Sequence, residues 1–196
     1  MSVVLIAGIA LVGLLTVLAI GHAYGKRHDA ERELKLWQAV ADGQGLSLER
    51  DKGRFRLKGA IGPIAFQVDT DTCLTYGYDA MLGLRATLPR PPSGHLVVWY
   101  ASDPATAKTV WPSLGEIEGR NDWFAQKYRV YTDDPLLPES LLSPEVKEKL
   151  NAVGGSALIV GPDEAVVLVG HLDPPSIRGA AQVVAALRDA QFLAGR

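Results

Sequence analysis

Hydrophobic and polar positions divide the chain into two regimes. From Ser2 to Gly25 the run VVLIAGIALVGLLTVLAIGHAY is interrupted by no Asp, Glu, Lys or Arg. A helix rises about 1.5 Å per residue, so about 20 apolar residues cross a hydrocarbon core roughly 30 Å thick. The run predicts a single-pass transmembrane anchor over residues 1–25. A cleavable signal needs a basic leading region and a shorter apolar core. Here only the α-amino group precedes the run, although Ala19-Ile20-Gly21 and Ala23-Tyr24-Gly25 imitate a cleavage site and keep an exported product as the alternative. Lys26, Arg27 and His28 follow at once, and an excess of Lys and Arg marks the cytoplasmic flank of a span. The rest of the chain is therefore expected on the cytoplasmic side of the cell membrane. Gly8, Gly13 and Gly21 do not fall at the small-xxx-small spacing that packs helices together, so the anchor reads as lipid-facing.

Beyond the anchor the periodicity changes. Ala30, Leu34, Trp37 and Ala41, with Val40 beside them, recur at helical spacing, and Gly43 and Gly45 supply a stop. Residues 26–45 thus form a juxtamembrane amphipathic helix. The alternating runs at Leu46–Leu48, Phe55–Lys58, Ile64–Val68 and Leu82–Leu88, punctuated by Asp51-Lys52-Gly53 and Gly62-Pro63, predict an antiparallel meander. Leu96–Tyr100 is continuously apolar and suits a strand buried on both faces. From Ala101 to Asp122 the pattern weakens and reads as loop with at most one short helical turn, whereas Tyr128–Thr132 is a strand. Ser143-Pro144-Glu145 and Asp173-Pro174 open two helices, and the apolar runs Ala157–Val160 and Ala165–Val169 form a hairpin about Gly161-Pro162-Asp163. The last helix outlines a packing face through Ile177, Ala180, Ala181, Val184, Leu187 and Gln191. Strands and helices do not alternate regularly, which predicts an α+β domain over residues 46–196 with a mostly antiparallel sheet and flanking helices.

Length and charge refine this picture. Removing the first 25 residues from 196 leaves 171, the size of one globular domain with its own core. All 20 Lys and Arg and all 22 Asp and Glu lie in that portion, so its net charge of −2 offers no global basic field for nucleic acid. Cys73 is the only cysteine and forms no internal disulfide.

Candidate chemistry is sparse. Phe66-Gln67-Val68-Asp69-Thr70-Asp71-Thr72 resembles the strand-end Asp-x-Asp-x-Thr signature of haloacid-dehalogenase phosphatases, and Asp133-Asp134 would stand for their later acidic pair. That resemblance implies a metal-dependent phosphohydrolase in which Asp69, Asp71, Asp133 and Asp134 converge. The surrounding chain lacks the crossover helices of a parallel sheet, so the phosphohydrolase is the minor alternative. His22, His28, His95 and His171 have no metal-ligand spacing, no serine lies in a nucleophile-elbow pattern, and no phosphate loop accompanies Gly154-Gly155. No catalytic residue, metal or cofactor is expected.

A more specific pattern is the basic series Arg50, Lys52, Arg54, Arg56 and Lys58. Residues two apart in a strand point the same way, so Arg54, Arg56 and Lys58 form a stripe opposite Phe55 and Leu57, which Arg50 and Lys52 extend across the turn. Two functions follow: a membrane-anchored scaffold that holds a protein partner, and a domain whose basic stripe binds anionic lipid headgroups or a small anionic ligand. The first is the leading expectation.

Overall fold

The computed structural model describes residues 30–51, 54–70, 82–117, 122–154 and 156–194. The expected anchor, the first part of the juxtamembrane helix, Lys52, Asp71 and Cys73 lie outside the described residues. Among the described residues no helix is long and apolar enough to cross a membrane. The chain divides into two compact units, Met1–Ala39 and Val40–Arg196.

In the first unit residues 30–39 are helical and belong to helix α1, residues 30–44. The buried stripe is narrower than its periodicity predicts: Trp37 is 2% exposed, but Leu34 is 39% exposed and Ala30 is also exposed. In the second unit Val40 and Ala41 are buried, and Gly45, at φ 64°, ends the helix where a residue with a Cβ would be strained.

The second unit is an α+β fold built on one large antiparallel sheet. Its nine described strands are β1 Ser47–Asp51, β2 Arg54–Ile61, β3 Ile64–Asp69, β4 Leu82–Ala86, β5 Leu96–Tyr100, β6 Gly115–Glu116, β7 Tyr128–Thr132, β8 Ser156–Val160 and β9 Ala165–Val169. They lie in the order β1-β2-β3-β4-β9-β8-β5-β7-β6, with every pair antiparallel. The first four strands are the meander that the alternating runs predict. Gly62 turns β2 into β3 at φ 55°, a left-handed conformation suited to glycine at the first position of a two-residue hairpin. The hairpin β8–β9 then joins the meander to the second half of the sheet through β4.

The faces of this sheet differ. One is apolar across its width: Phe55, Leu57, Ile64, Phe66, Val68, Leu82, Leu84, Val167, Val169, Leu158, Val98 and Val130 are all buried. Against it pack helices α5, Pro144–Val153, and α6, Pro174–Ala194. The shorter α3, Trp123–Lys127, and α4, Leu137–Leu141, pack on β7. Ile177, Ala180, Ala181, Val184 and Leu187 of α6 are buried as their spacing predicts. Ser156 is buried on β8, and its hydroxyl donates to the carbonyl of Leu150 at 2.8 Å, tying α5 to the sheet.

The opposite face is capped over only half its width. Val97, Trp99, Tyr131, Ala157, Ile159, Val166 and Leu168 form a second core with Ala107, Trp111 and Leu114. Ala107 belongs to helix α2, Pro104–Val110, in the stretch that the weak periodicity assigns to loop with at most one helical turn. The signal lies instead in the cap: the Asp103 carboxylate accepts from the Thr106 backbone N–H at 3.4 Å and its hydroxyl at 2.9 Å, and Pro104 occupies the first turn. Over β1 to β4 this face carries polar side chains, and there the candidate site lies.

Candidate interaction surface

Pairing fixes which side chains share the uncapped half-face. Asp51 opposes Arg54, Glu49 opposes Arg56 and Ser47 opposes Lys58 between β1 and β2. Lys58 opposes Gln67 on β3, and Gln67 opposes Arg85 on β4. Directly opposed residues project to the same face. Among the described residues this half-face therefore carries the cations Arg54, Arg56, Lys58 and Arg85. Glu49, Asp51, Asp69 and Glu164 set four acids against these four bases.

The charges are arranged as pairs. Lys58 Nζ lies 2.8 Å from Glu49 Oε2, both side chains nearly half exposed. Arg85 Nε lies 3.1 Å from Glu164 Oε2, and Arg56 Nε lies 3.8 Å from Asp69 Oδ2. Asp69 is buried at 3% exposure and also accepts from the Gln67 side-chain amide. Burial pushes the Glu164 carboxyl above its ordinary range; Arg85 opposes that shift, whereas Asp69 and Asp163 add to it. The exposed Lys58–Glu49 pair adds little stability, about 0–1 kcal/mol. Together the three pairs do define a surface pattern.

The basic series is thus only partly one stripe. Phe55 and Leu57 are buried behind Arg54, Arg56 and Lys58, in keeping with strand alternation. Arg50 falls on the other face: it opposes Phe55 in register, and its guanidinium carbon lies 5.4 Å from the Phe55 ring centroid. The reversal at the Asp51–Arg54 pair matches even positions on β1 with odd positions on β2, so spacing alone cannot carry the stripe across the turn. Lys52 lies outside the described residues. No local sequence pattern singles out Arg85 and Glu164. Arg85 is the polar position within the alternation of Leu82, Leu84 and Ala86, but its partner arrives by a pairing some 80 residues away in the chain.

The acids of the phosphatase-like pattern are not brought together. Asp69 ends β3 and Asp133 follows β7, with β4, β9, β8 and β5 between those strands. At about 4.8 Å per strand this is a lateral separation on the order of 24 Å. Asp71 is outside the described residues. Asp133 instead holds His95: Oδ1 accepts the His95 backbone N–H at 2.6 Å and Oδ2 lies 3.0 Å from Nδ1. Those contacts, the backbone donor foremost, hold the Asp133 carboxyl below its ordinary range. His95→Ala removes the ring but keeps the backbone donor. The Asp133 titration followed by NMR should rise only part of the way toward the ordinary value, whereas a complete return would contradict the leading role of the backbone bond.

His95 also lines a cleft of about 260 Å³ with Trp111, Ile159, Gly161, Pro162, Asp163, Glu164 and Val166. A Cβ at Gly161 would stand 3.3 Å from His95 Cδ2, a tight contact that the half-exposed ring relieves by a small shift.

No family model matches the chain, and no curated protein matches it. Its fold is similar to that in the crystal structure of the mycobacterial trehalose monomycolate transport factor A, TtfA, with a TM-score of 0.53 over 80% of this chain and 92% of that chain at 6% sequence identity.

Proposed function

We propose that the chain is a non-enzymatic, membrane-anchored interaction domain that docks a protein partner at the cytoplasmic face of the cell membrane through the charged half-face of β1–β4. The observation that carries this reading is the mosaic of four bases and four acids on that face. Interleaved charges specify register and partner across a protein interface. An anionic bilayer rewards a surplus of cations, about 1 kcal/mol for each Lys or Arg near the surface, and the mosaic supplies no surplus. The edge position of β1, whose Ser47, Glu49, Arg50 and Asp51 are exposed, adds a rim along which a partner can seat.

Reversing Arg54, Arg56 and Lys58 to Glu in the full chain should lower partner recovery from solubilised membranes about tenfold, as loss of complementary rim charges does. In the chain without residues 1–25, sedimentation with anionic vesicles should be weak and unchanged by the same substitutions. Strong vesicle binding that the reversal abolishes would replace the protein partner with lipid headgroups.

A further inference from the structure

Ala65 and Thr87 belong to two clefts at once. One, of about 670 Å³, runs past the sheet end along Pro63, Ile64, Leu88 and Pro89, with Arg188 and Asp189 on its far side. The other, of about 320 Å³, contains Lys58, Gln67, Arg85 and Glu164. Small-molecule sites occupy roughly 300–1,000 Å³ and combine apolar walls with a few orienting polar groups. Ala65 on β3 and Thr87 just past β4 flank the Phe66–Ala86 pair, both are exposed, and the two clefts meet at these small side chains. Taken together the adjoining clefts make a groove that changes from apolar to charged across the rim.

We propose that this groove binds a single-chain amphiphile with an anionic head, the hydrocarbon lying along Pro63, Ile64, Leu88 and Pro89 and the head at Arg85 and Lys58. The apolar end suits hydrocarbon better than a peptide. Pro63 and Pro89 lack an N–H, and β3 and β4 pair with their neighbouring strands, so the walls offer a peptide backbone few main-chain partners. Ile64 and Leu88, each 3% exposed and buried in the core beneath, form its apolar floor. At the other end the planar guanidinium of Arg85 matches a carboxylate or phosphate, and Lys58, which the head would share with Glu49 at 2.8 Å, adds a compact charge. Glu164 marks the Arg85 head as a place where one carboxylate is already accommodated, 3.1 Å from Nε. An incoming head shares or displaces it. The inference needs neither the partner nor the sidedness proposed above.

The test uses the full chain in its membranes. A palmitate analogue with a photoreactive diazirine on its chain is added and activated, and labelled peptides are mapped. The groove predicts label on the peptides that carry residues 62–65 and 87–89, reduced about tenfold in Thr87→Trp, which fills the rim, and in Arg85→Gln, which removes the head contact. Circular dichroism checks that both variants fold; should Thr87→Trp fail to, Ala65→Leu serves in its place. Competition by unlabelled palmitate against unlabelled lysophosphatidate distinguishes a carboxylate from a phosphate head. Label confined to residues 2–25, or groove label indifferent to Arg85→Gln, overturns the proposal. Partner recovery is not read in this experiment, so its failure leaves the partner surface standing and the reverse also holds.

Discussion

Replacing Trp99 by alanine is expected to destabilise the domain by about 3–5 kcal/mol, the range for removing a large aromatic from a core. Trp99 is fully buried on β5, between β8 and β7, on the face that α2 caps. Its ring lies 5.4 Å from that of Trp111 and 5.9 Å from that of Tyr100, and its neighbours Val97, Tyr131, Ile159 and Leu168 are held by the sheet. A rigid sheet cannot collapse into the space left behind, so the cavity cost adds to the lost transfer energy. At a slope of about 2 kcal/mol per molar urea the midpoint should fall by roughly 2 M. Trp123→Ala is the control. Trp123 is 46% exposed at the start of α3, and its loss should cost within about 1 kcal/mol. Equal costs for the two substitutions, measured by far-ultraviolet circular dichroism in urea, would mean that the half-cap over β8, β5 and β7 is not a core.

Deleting residues 2–25 should move the chain from the membrane pellet to the soluble fraction. The segment supplies the roughly 20 apolar residues that span a bilayer, and the remaining portion carries 20 basic and 22 acidic residues with no comparable run. On the proposed orientation, with Lys26 and Arg27 on the cytoplasmic flank, a carboxyl-terminal tag on the full chain should be cut by protease in inside-out vesicles and protected in sealed cells. A full chain that washes off membranes in carbonate, or a tag cut from outside, would contradict the anchor or its direction.

Local physics made most elements legible. The meander follows from period-two alternation, β5 from an uninterrupted apolar run, and α5 and α6 from their capped, proline-bearing starts. Asp103-Pro104 is the same kind of start, but α2 is only seven residues long, too short for its periodicity to stand out. The candidate surface was legible only within single strands. Lys58 and Arg56 could be placed opposite Phe55 and Leu57, yet their acidic neighbours depend on register across the β1–β2 turn. The Arg85–Glu164 pair depends on β4 meeting β9, and the His95–Asp133 pair on β5 meeting β7. Such pairings are set by whole-sheet packing, which no short stretch of chain encodes.

The most direct measurement of the interaction reading is site-specific photocross-linking in native membranes. A photoreactive residue replaces Lys58 on the mosaic, and in a parallel chain it replaces Arg178, which is exposed on α6. The account predicts one discrete protein adduct from position 58, absent from position 178 and lost when Glu49 and Asp51 are changed to Lys. Adducts to lipid alone, or the same protein adduct from both positions, would contradict it.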